Sequence, residues 1–222
     1  MKTVVIFGGS GFVGKNIVRR LVKEGSRIII PYQLSTNEAK LRLFGNVGQI
    51  IPVKYNILKD RLISNIISEA DAVINLKTIW RESQSFKYKR NILNFNIQLV
   101  DLINSISKDK FFLFFSGLGV SKKSSSLRSQ YIAESEKYIL EHMKNSLIIR
   151  PGIIVGAEDQ FIKKLLFIFK FSLFIPLFGK GNYKLQPVFI DDIAKAICKI
   201  IYNSPKGKII YELAGPEIFT YK

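Results

Sequence analysis

The chain has 222 residues, which at about 100–200 residues per domain is one domain with room for a small appendage. Its 47% apolar content excludes a disordered chain, and its 23% charged content argues against a multi-span membrane protein. The net charge is +17 and there is one cysteine, Cys198, and one histidine, His142; this excludes a disulfide framework and a cysteine zinc site, and argues against a His-metal site or a Ser-His-Asp triad.

Met1–Ile6 runs straight into a strand pattern, so neither a signal nor a transit peptide is expected, and a reducing compartment is. Thr3–Phe7 reads as a first strand, continuously apolar like one buried on both faces. Phe12–Glu24 follows as a helix, with Val13, Ile17, Leu21 and Val22 at helical spacing and Gly25 where a C-terminal cap belongs. Arg27–Ile30 and Ile50–Lys54 read as strands, Lys59–Ser68 as a short helix and Ala72–Leu76 as a fourth strand. Asn91–Ser107 reads as one long helix with Ile92, Phe95, Leu99, Leu102 and Ile106 on a stripe. Phe111–Phe115 is a nearly all-aromatic strand, 121–129 a Ser/Lys loop, Leu127–Lys144 a helix and Leu147–Ile149 a strand ended by Pro151. Val188–Ile190, a helix over Asp191–Tyr202 and a strand over Lys208–Leu213 complete the alternation. This pattern predicts an α/β fold with a doubly wound parallel sheet of Rossmann type.

Between the first strand and the first helix lies Gly8-Gly9-Ser10-Gly11-Phe12-Val13-Gly14. It satisfies Gly-x-Gly-x-x-Gly from Gly9 and Gly-x-x-Gly-x-x-Gly from Gly8. Glycines there allow a tight turn and a close approach of backbone to a pyrophosphate, while the helix N-terminus offers free N–H groups. In a strand–loop–helix setting the motif is strong, and Gly8, Gly9, Ser10, Gly11, Phe12, Val13 and Gly14 are the expected dinucleotide contacts. An NAD site usually carries an acid at the end of the second strand to hold the ribose hydroxyls. Here that stretch is Ile30-Pro31-Tyr32-Gln33-Leu34-Ser35, without an acid before Glu38. NADP(H) is therefore favoured over NAD(H), with Arg19, Lys40 and Arg42 as candidates for the 2′-phosphate.

The glycine spacing resembles that of the extended and atypical short-chain dehydrogenases/reductases. Gly25–Tyr32, Gly48–Pro52, Ala72–Leu76, Ser124–Ser126, Arg150-Pro151, Gly156–Phe161, Gln186–Asp192 and Tyr211–Pro216 narrow the resemblance. They are similar to one branch, the reductase-like accessory subunits of respiratory complex I (alpha-subcomplex subunit nine in mitochondria) and their bacterial relatives. The resemblance implies a Rossmann core over 1–150, a partial second-lobe segment over 151–185 and a return to the core over 186–222, with the C-terminal lobe truncated. It also implies a structural NADPH and a place on the hydrophilic arm of complex I. The family's nucleotide-facing positions after strands two, three and four fall on Gln33, Asn56 and Leu76. Three of its residue types are changed: its arginine is Gln33, its acid is Asn56 and its glycine is Thr78, preceded by Lys77.

Active members of the superfamily carry Tyr-x-x-x-Lys on the helix after strand five, plus a serine at that strand's end. One helical turn puts tyrosine and lysine on one face, where the lysine lowers the phenol pKa for general acid/base work. Here the two positions fall on Arg128 and Ile132. If Tyr131 is tried, its i+4 partner is Ser135, and Lys137 is on another face. Ser116 and Tyr131 remain as catalytic candidates.

The segment Phe161–Phe178 is apolar except for Lys163, Lys164, Lys170 and Ser172. The three lysines and Pro176 argue against a membrane span. Two readings stay open: an interfacial helix with snorkelling lysines, or a helix packed under the second lobe. The basic charge is spread over most segments, with mild clusters at 87–90, 122–128 and 163–170 and no nucleic-acid-binding pattern. The expected function is that of an NAD(P)(H)-binding, non-catalytic Rossmann protein associated with complex I or another acidic partner. Its expected place is the cytoplasm, or the matrix if organellar, peripheral on the inner membrane. An active NAD(P)H-dependent reductase or epimerase and an interaction module without nucleotide are the alternatives.

Overall fold

The computed structural model describes residues 1–34, 37–171 and 181–220. Seven parallel strands form the central sheet: β1 (Thr3–Phe7), β2 (Arg27–Tyr32), β3 (Ile50–Lys54), β4 (Ala72–Asn75), β5 (Phe111–Phe115), β6 (Asn145–Pro151) and, from near the end of the chain, β10 (Lys208–Leu213). Their spatial order is β3-β2-β1-β4-β5-β6-β10. The direction of winding reverses between β1 and β4, which opens a crevice at the carboxyl ends of these two strands. The register puts Phe7 beside Asn75 and Phe114 beside Asn75 on the other flank, so all three strands end at one level.

Strand alternation divides the core in two. Val4, Ile6, Ile28, Ile30, Ile74 and Leu113 face one side, and Val5, Phe7, Ile29, Val73, Phe112 and Phe114 the other. The first side is covered by α1 (Phe12–Lys23), through Ile17 and Leu21, and by α7 (Ile190–Asn203), through Ile193, Ile197 and Ile201. The second is covered by α3 (Arg61–Glu69), α4 (Phe95–Ile106) and α5 (Leu127–His142). The Lys2 ammonium donates to the Ile201 and Tyr202 carbonyls at 2.7 and 3.0 Å. It thereby caps the negative end of α7 and ties the chain's first strand to its last long helix. Gly25 has φ +83°, and Gly25 and Ser26 donate back to Val22 and Leu21, closing α1 as its position predicts.

Several expectations are corrected. The predicted helix over Asn91–Ser107 begins as a π-helical stretch, Lys89–Asn94, before α4 proper. The buried Asn96 amide donates to the Ile92 carbonyl at 2.8 Å and Asn96 Oδ1 accepts from Asn75 Nδ2 at 2.7 Å, so a polar pair sits where the stripe predicts apolar packing alone. The strand expected at Val188–Ile190 is the two-residue β9 (Val188–Phe189). It pairs with β7 (Ile154–Val155) outside the central sheet, because Ile190 already begins α7. A short helix, α2 (Glu38–Arg42), was not predicted; five residues are too few for a period to show. Nor was the small antiparallel pair of β8 (Lys184–Leu185) and β11 (Phe219–Thr220). The remaining helix, α6 (Gln160–Phe171), starts on the Asp159 carboxylate, which accepts from the Ile162 amide at 2.9 Å.

Candidate nucleotide site

The glycine loop joins β1 to α1 at the winding reversal. Gly8 adopts φ +81°, and a Cβ there would lie 2.9 Å from the Leu76 carbonyl carbon and 3.0 Å from the Lys77 nitrogen. Only glycine lets the loop rest on the backbone that follows β4. A Cβ on Gly9 would press on the Ile30 side chain at 3.0 Å, and one on Gly14 would come 2.6 Å from Gly9 Cα; the last glycine is what brings helix and loop together. Gly11 differs. Its Cβ would meet only the Gly8 carbonyl at 3.4 Å, an ordinary contact, and otherwise open space.

Gly11 is the N-cap of α1, with extended backbone (φ −75°, ψ 176°) and no side chain to cap the helix. Its carbonyl accepts the first helical bond, from Lys15, at 2.9 Å. The N–H groups of Phe12, Val13 and Gly14 thus have no carbonyl one turn behind them, and they carry the positive end of the helix dipole. This is a cradle for an anion backed by a turn no side chain fills, and it fits a pyrophosphate.

At the far wall, Gln33 follows β2, and its Nε2 donates to the Asn56 carbonyl at 2.9 Å. Gln33 Oε1 accepts from Lys77 Nζ at 2.6 Å. Lys77 is half-buried, its ammonium 4.1 Å from the centre of the Phe95 ring. Burial, with a smaller contribution from Arg90, lowers its pKa to about 8. Its backbone N–H donates to Asn75 Oδ1 at 3.0 Å, so the buried Asn75–Asn96 pair fixes where Lys77 leaves the strand. Gln33 thus reaches the Asn56 backbone, and the Leu76 backbone lies against Gly8; Lys77, in the sequence only the neighbour of the changed position Thr78, meets Gln33 across the crevice.

The cations expected for a 2′-phosphate are engaged elsewhere or face solvent. Arg19 donates to Glu158 at 3.0 Å and stacks over Phe44, and Arg42 pairs with Glu38 at 3.5 Å, which also accepts from the Tyr32 hydroxyl. Lys40 is exposed on α2.

The two positions of the acid/base pair have other work. Arg128 donates to the Ile79 carbonyl and the Thr78 hydroxyl at 3.0 and 3.1 Å and stacks 4.2 Å over Trp80; burial lowers its pKa. Ile132 is 3% exposed, in the core. Tyr131 packs on the apolar cluster of the same face, and Ser135 donates to the Tyr131 carbonyl. Lys137 pairs with Glu141. The Ser116 hydroxyl donates to Glu136, a 4%-exposed carboxylate that also takes two hydrogen bonds from Arg150, at 3.0 and 2.7 Å. Arg150 extends the chain to Glu212 on β10 at 3.3 Å, and these acids hold its pKa above the usual guanidinium value. Sequence reading missed Glu136, whose only signal was an acid on an otherwise buried helix face.

Residues 4–214 match the model of the NAD dependent epimerase/dehydratase family. The chain belongs to that family. Among the family's curated members it is similar to the mitochondrial NADH dehydrogenase [ubiquinone] 1 alpha subcomplex subunit 9 of Arabidopsis thaliana, 31% identical over 97% of this chain and 54% of that one. The subunit of the same name from Dictyostelium discoideum is also 31% identical, over 97% of this chain and 60% of its own. The chain thus spans little more than half the length of these relatives. In fold, this epimerase-family chain is similar to a dTDP-glucose 4,6-dehydratase of Bacillus anthracis solved in complex with NAD. The TM-score is 0.78 over 100% of this chain and 78% of that one, at 17% identity. The parallel doubly wound sheet and the resemblance to the complex I subunits both hold.

Proposed function

We propose that this chain binds an NAD(P)-type dinucleotide as a structural ligand and acts as a non-catalytic accessory subunit of respiratory complex I. The observation that carries the reading is the coexistence of an intact glycine cradle with a dismantled acid/base pair. Gly8 and Gly14 hold the loop in a form no other residue fits, and Gly9 presses it against Ile30. Arg128 is meanwhile bound to the segment after β4 and Ile132 is buried. A bound dinucleotide would supply a hydride-carrying nicotinamide. The backbone of Gly9–Val13 would hold its pyrophosphate, and Gln33, Asn56 and Leu76 would border its adenosine. NADP(H) is favoured over NAD(H), since no acid follows β2 before Glu38.

Association with complex I is supported by the similarity to these NADH dehydrogenase subunits, and a mitochondrial location by the word in their names. No described helix is long and apolar enough to cross a membrane. On α6, Leu166, Phe167 and Phe171 are exposed, which supports peripheral contact through the segment Phe161–Phe178; residues 172–178 lie outside the described residues. The test is a mass and nicotinamide-fluorescence assay on the purified protein, followed by incubation with quinone and carbonyl acceptors. A retained or added dinucleotide without turnover is expected. Loss of general acid/base assistance, worth roughly 10²–10⁴-fold, leaves only trace rates. Steady turnover that depends on Tyr131 or Ser116 refutes the non-catalytic reading. Migration apart from complex I on native gels refutes the partner.

A further inference from the structure

We propose that Lys77 selects a 2′-phosphorylated dinucleotide, its ammonium held at the ribose end of the crevice by Gln33. The proposal rests on the dinucleotide-binding reading above and deepens it. The residue that follows the second strand is the one that meets the adenosine ribose in this architecture. Here it is Gln33, a neutral side chain that bonds a hydroxyl but does not neutralise a phosphate dianion. The positive charge comes from across the crevice: Lys77 Nζ lies 2.6 Å from Gln33 Oε1.

Three observations make Lys77 a built feature. Its backbone rests against Gly8 and is held by Asn75, so it leaves the chain beside the phosphate loop. Its ammonium lies over the Phe95 face, which restricts where the head can go. Among the described residues no carboxylate lies within ion-pair distance of it, in contrast to Arg19 and Arg42. A half-buried ammonium with a neutral acceptor on one side has N–H groups left for an anion, and a phosphate dianion would reverse the penalty that burial places on its charge.

The test is calorimetric titration of the purified protein with NADPH, NADH, 2′,5′-ADP and 5′-ADP. The variants are Lys77→Met, Lys77→Arg and Gln33→Glu, with Lys122→Met, an exposed cation away from the crevice, as the control for net charge. NADPH and 2′,5′-ADP are expected to bind more tightly than NADH and 5′-ADP. Lys77→Met should reduce that ratio roughly 10–100-fold, the range for one charge-assisted hydrogen bond. Lys77→Arg should restore most of it, and Gln33→Glu should reduce it by capturing the ammonium. Lys122→Met should leave it alone. Thermal unfolding of each variant separates a lost contact from a lost fold. A ratio that survives Lys77→Met overturns the proposal while the dinucleotide reading stands. So does a rise in affinity for both dinucleotides, which would make Lys77–Gln33 a latch across the crevice. Failure of every nucleotide to bind the unaltered protein overturns the dinucleotide reading, and this proposal with it.

Discussion

Gly11 and Gly14 share one motif, yet the structure gives them opposite roles, and a pair of substitutions separates these. Gly11 is an uncapped N-cap with backbone suited to a capping side chain. Aspartate at that position accepts from the second or third amide of α1, worth a few tenths of a kcal/mol over glycine. It also places a negative charge at the positive end of the helix, worth about 0.3–1 kcal/mol. Since the new Cβ meets only the Gly8 carbonyl at 3.4 Å, no packing cost opposes this. Gly11→Asp should therefore raise unfolding stability by roughly 0.5–1.5 kcal/mol, or about 1–5 °C in Tm for a domain of this size. The same carboxylate occupies the amides a pyrophosphate needs and repels it, so dinucleotide affinity should fall at least about 100-fold. Gly14→Val does the reverse in its cause: its Cβ would come 2.6 Å from Gly9 Cα. The loop has to move, at a cost of about 1–3 kcal/mol, and binding is lost through the fold. Urea denaturation and calorimetry on the two variants read both quantities. A Gly11→Asp protein that still binds the dinucleotide at full strength refutes the cradle. One that is strongly destabilised refutes the open-space argument on which the cradle rests.

The remaining predictions concern other parts of the molecule. Glu136→Ala should cost about 3 kcal/mol in urea unfolding, the low end for breaking a buried pair, because Arg150 keeps some solvent exposure and its contact to Glu212; a change below about 1 kcal/mol shows that the pair contributes nothing. Phe167→Asp/Phe171→Asp should abolish flotation with anionic vesicles, since the two rings lie 4.7 Å apart, tilted at 44°, and stand about two-thirds exposed. High salt should weaken it only in part, and an unaltered protein that does not float rules out the membrane contact. Lys77 should leave a pH signature in stability. Its folded pKa, about 8, lies below its ordinary value of 10.5, so the unfolded chain holds a proton there that the folded chain releases. Stability therefore rises with pH between those values. The Lys77→Met protein should be the more stable of the two below pH 8, by on the order of 1–3 kcal/mol with solvent screening at the crevice mouth. The difference should vanish near pH 10.5; one that does not change with pH refutes the assigned shift.

The fold was legible because burial on both faces of a parallel sheet leaves strands nowhere to hide. Phe111–Phe115 and Ile50–Lys54 have the bounds their composition predicts. Elements that owe their form to neighbours were not legible. The two-residue β7 and β9 exist only by pairing with each other. The π-helical entry to α4 accompanies a side chain, Asn96, that donates to a backbone carbonyl and accepts from an asparagine on the preceding strand. No period in the sequence records such a contact.

The candidate site divides in the same way. The phosphate loop is local, seven residues that form one turn, and its spacing states its chemistry. The expected adenosine wall is assembled from three strand ends, and for it the sequence offered Gln33, Asn56 and Leu76 through the family resemblance and, beside them, basic residues within reach. Of the basic residues, Arg19 is taken by Glu158, 139 residues away, which no spacing reveals, and Arg42 by Glu38, one turn back on α2. Lys77 and Gln33 are 44 residues apart in sequence and 2.6 Å apart in space, because β4 and β2 flank β1 at the same level of the sheet. Gln33 alone looks like decay of a family position, a lost arginine, and Lys77 is only the neighbour of another changed position, Thr78. Together they keep a positive charge where the ribose end of a dinucleotide would lie. Loss of a motif residue is thus weak evidence for loss of a site in a parallel sheet, since a neighbouring strand end can supply the same charge from the other side of the crevice.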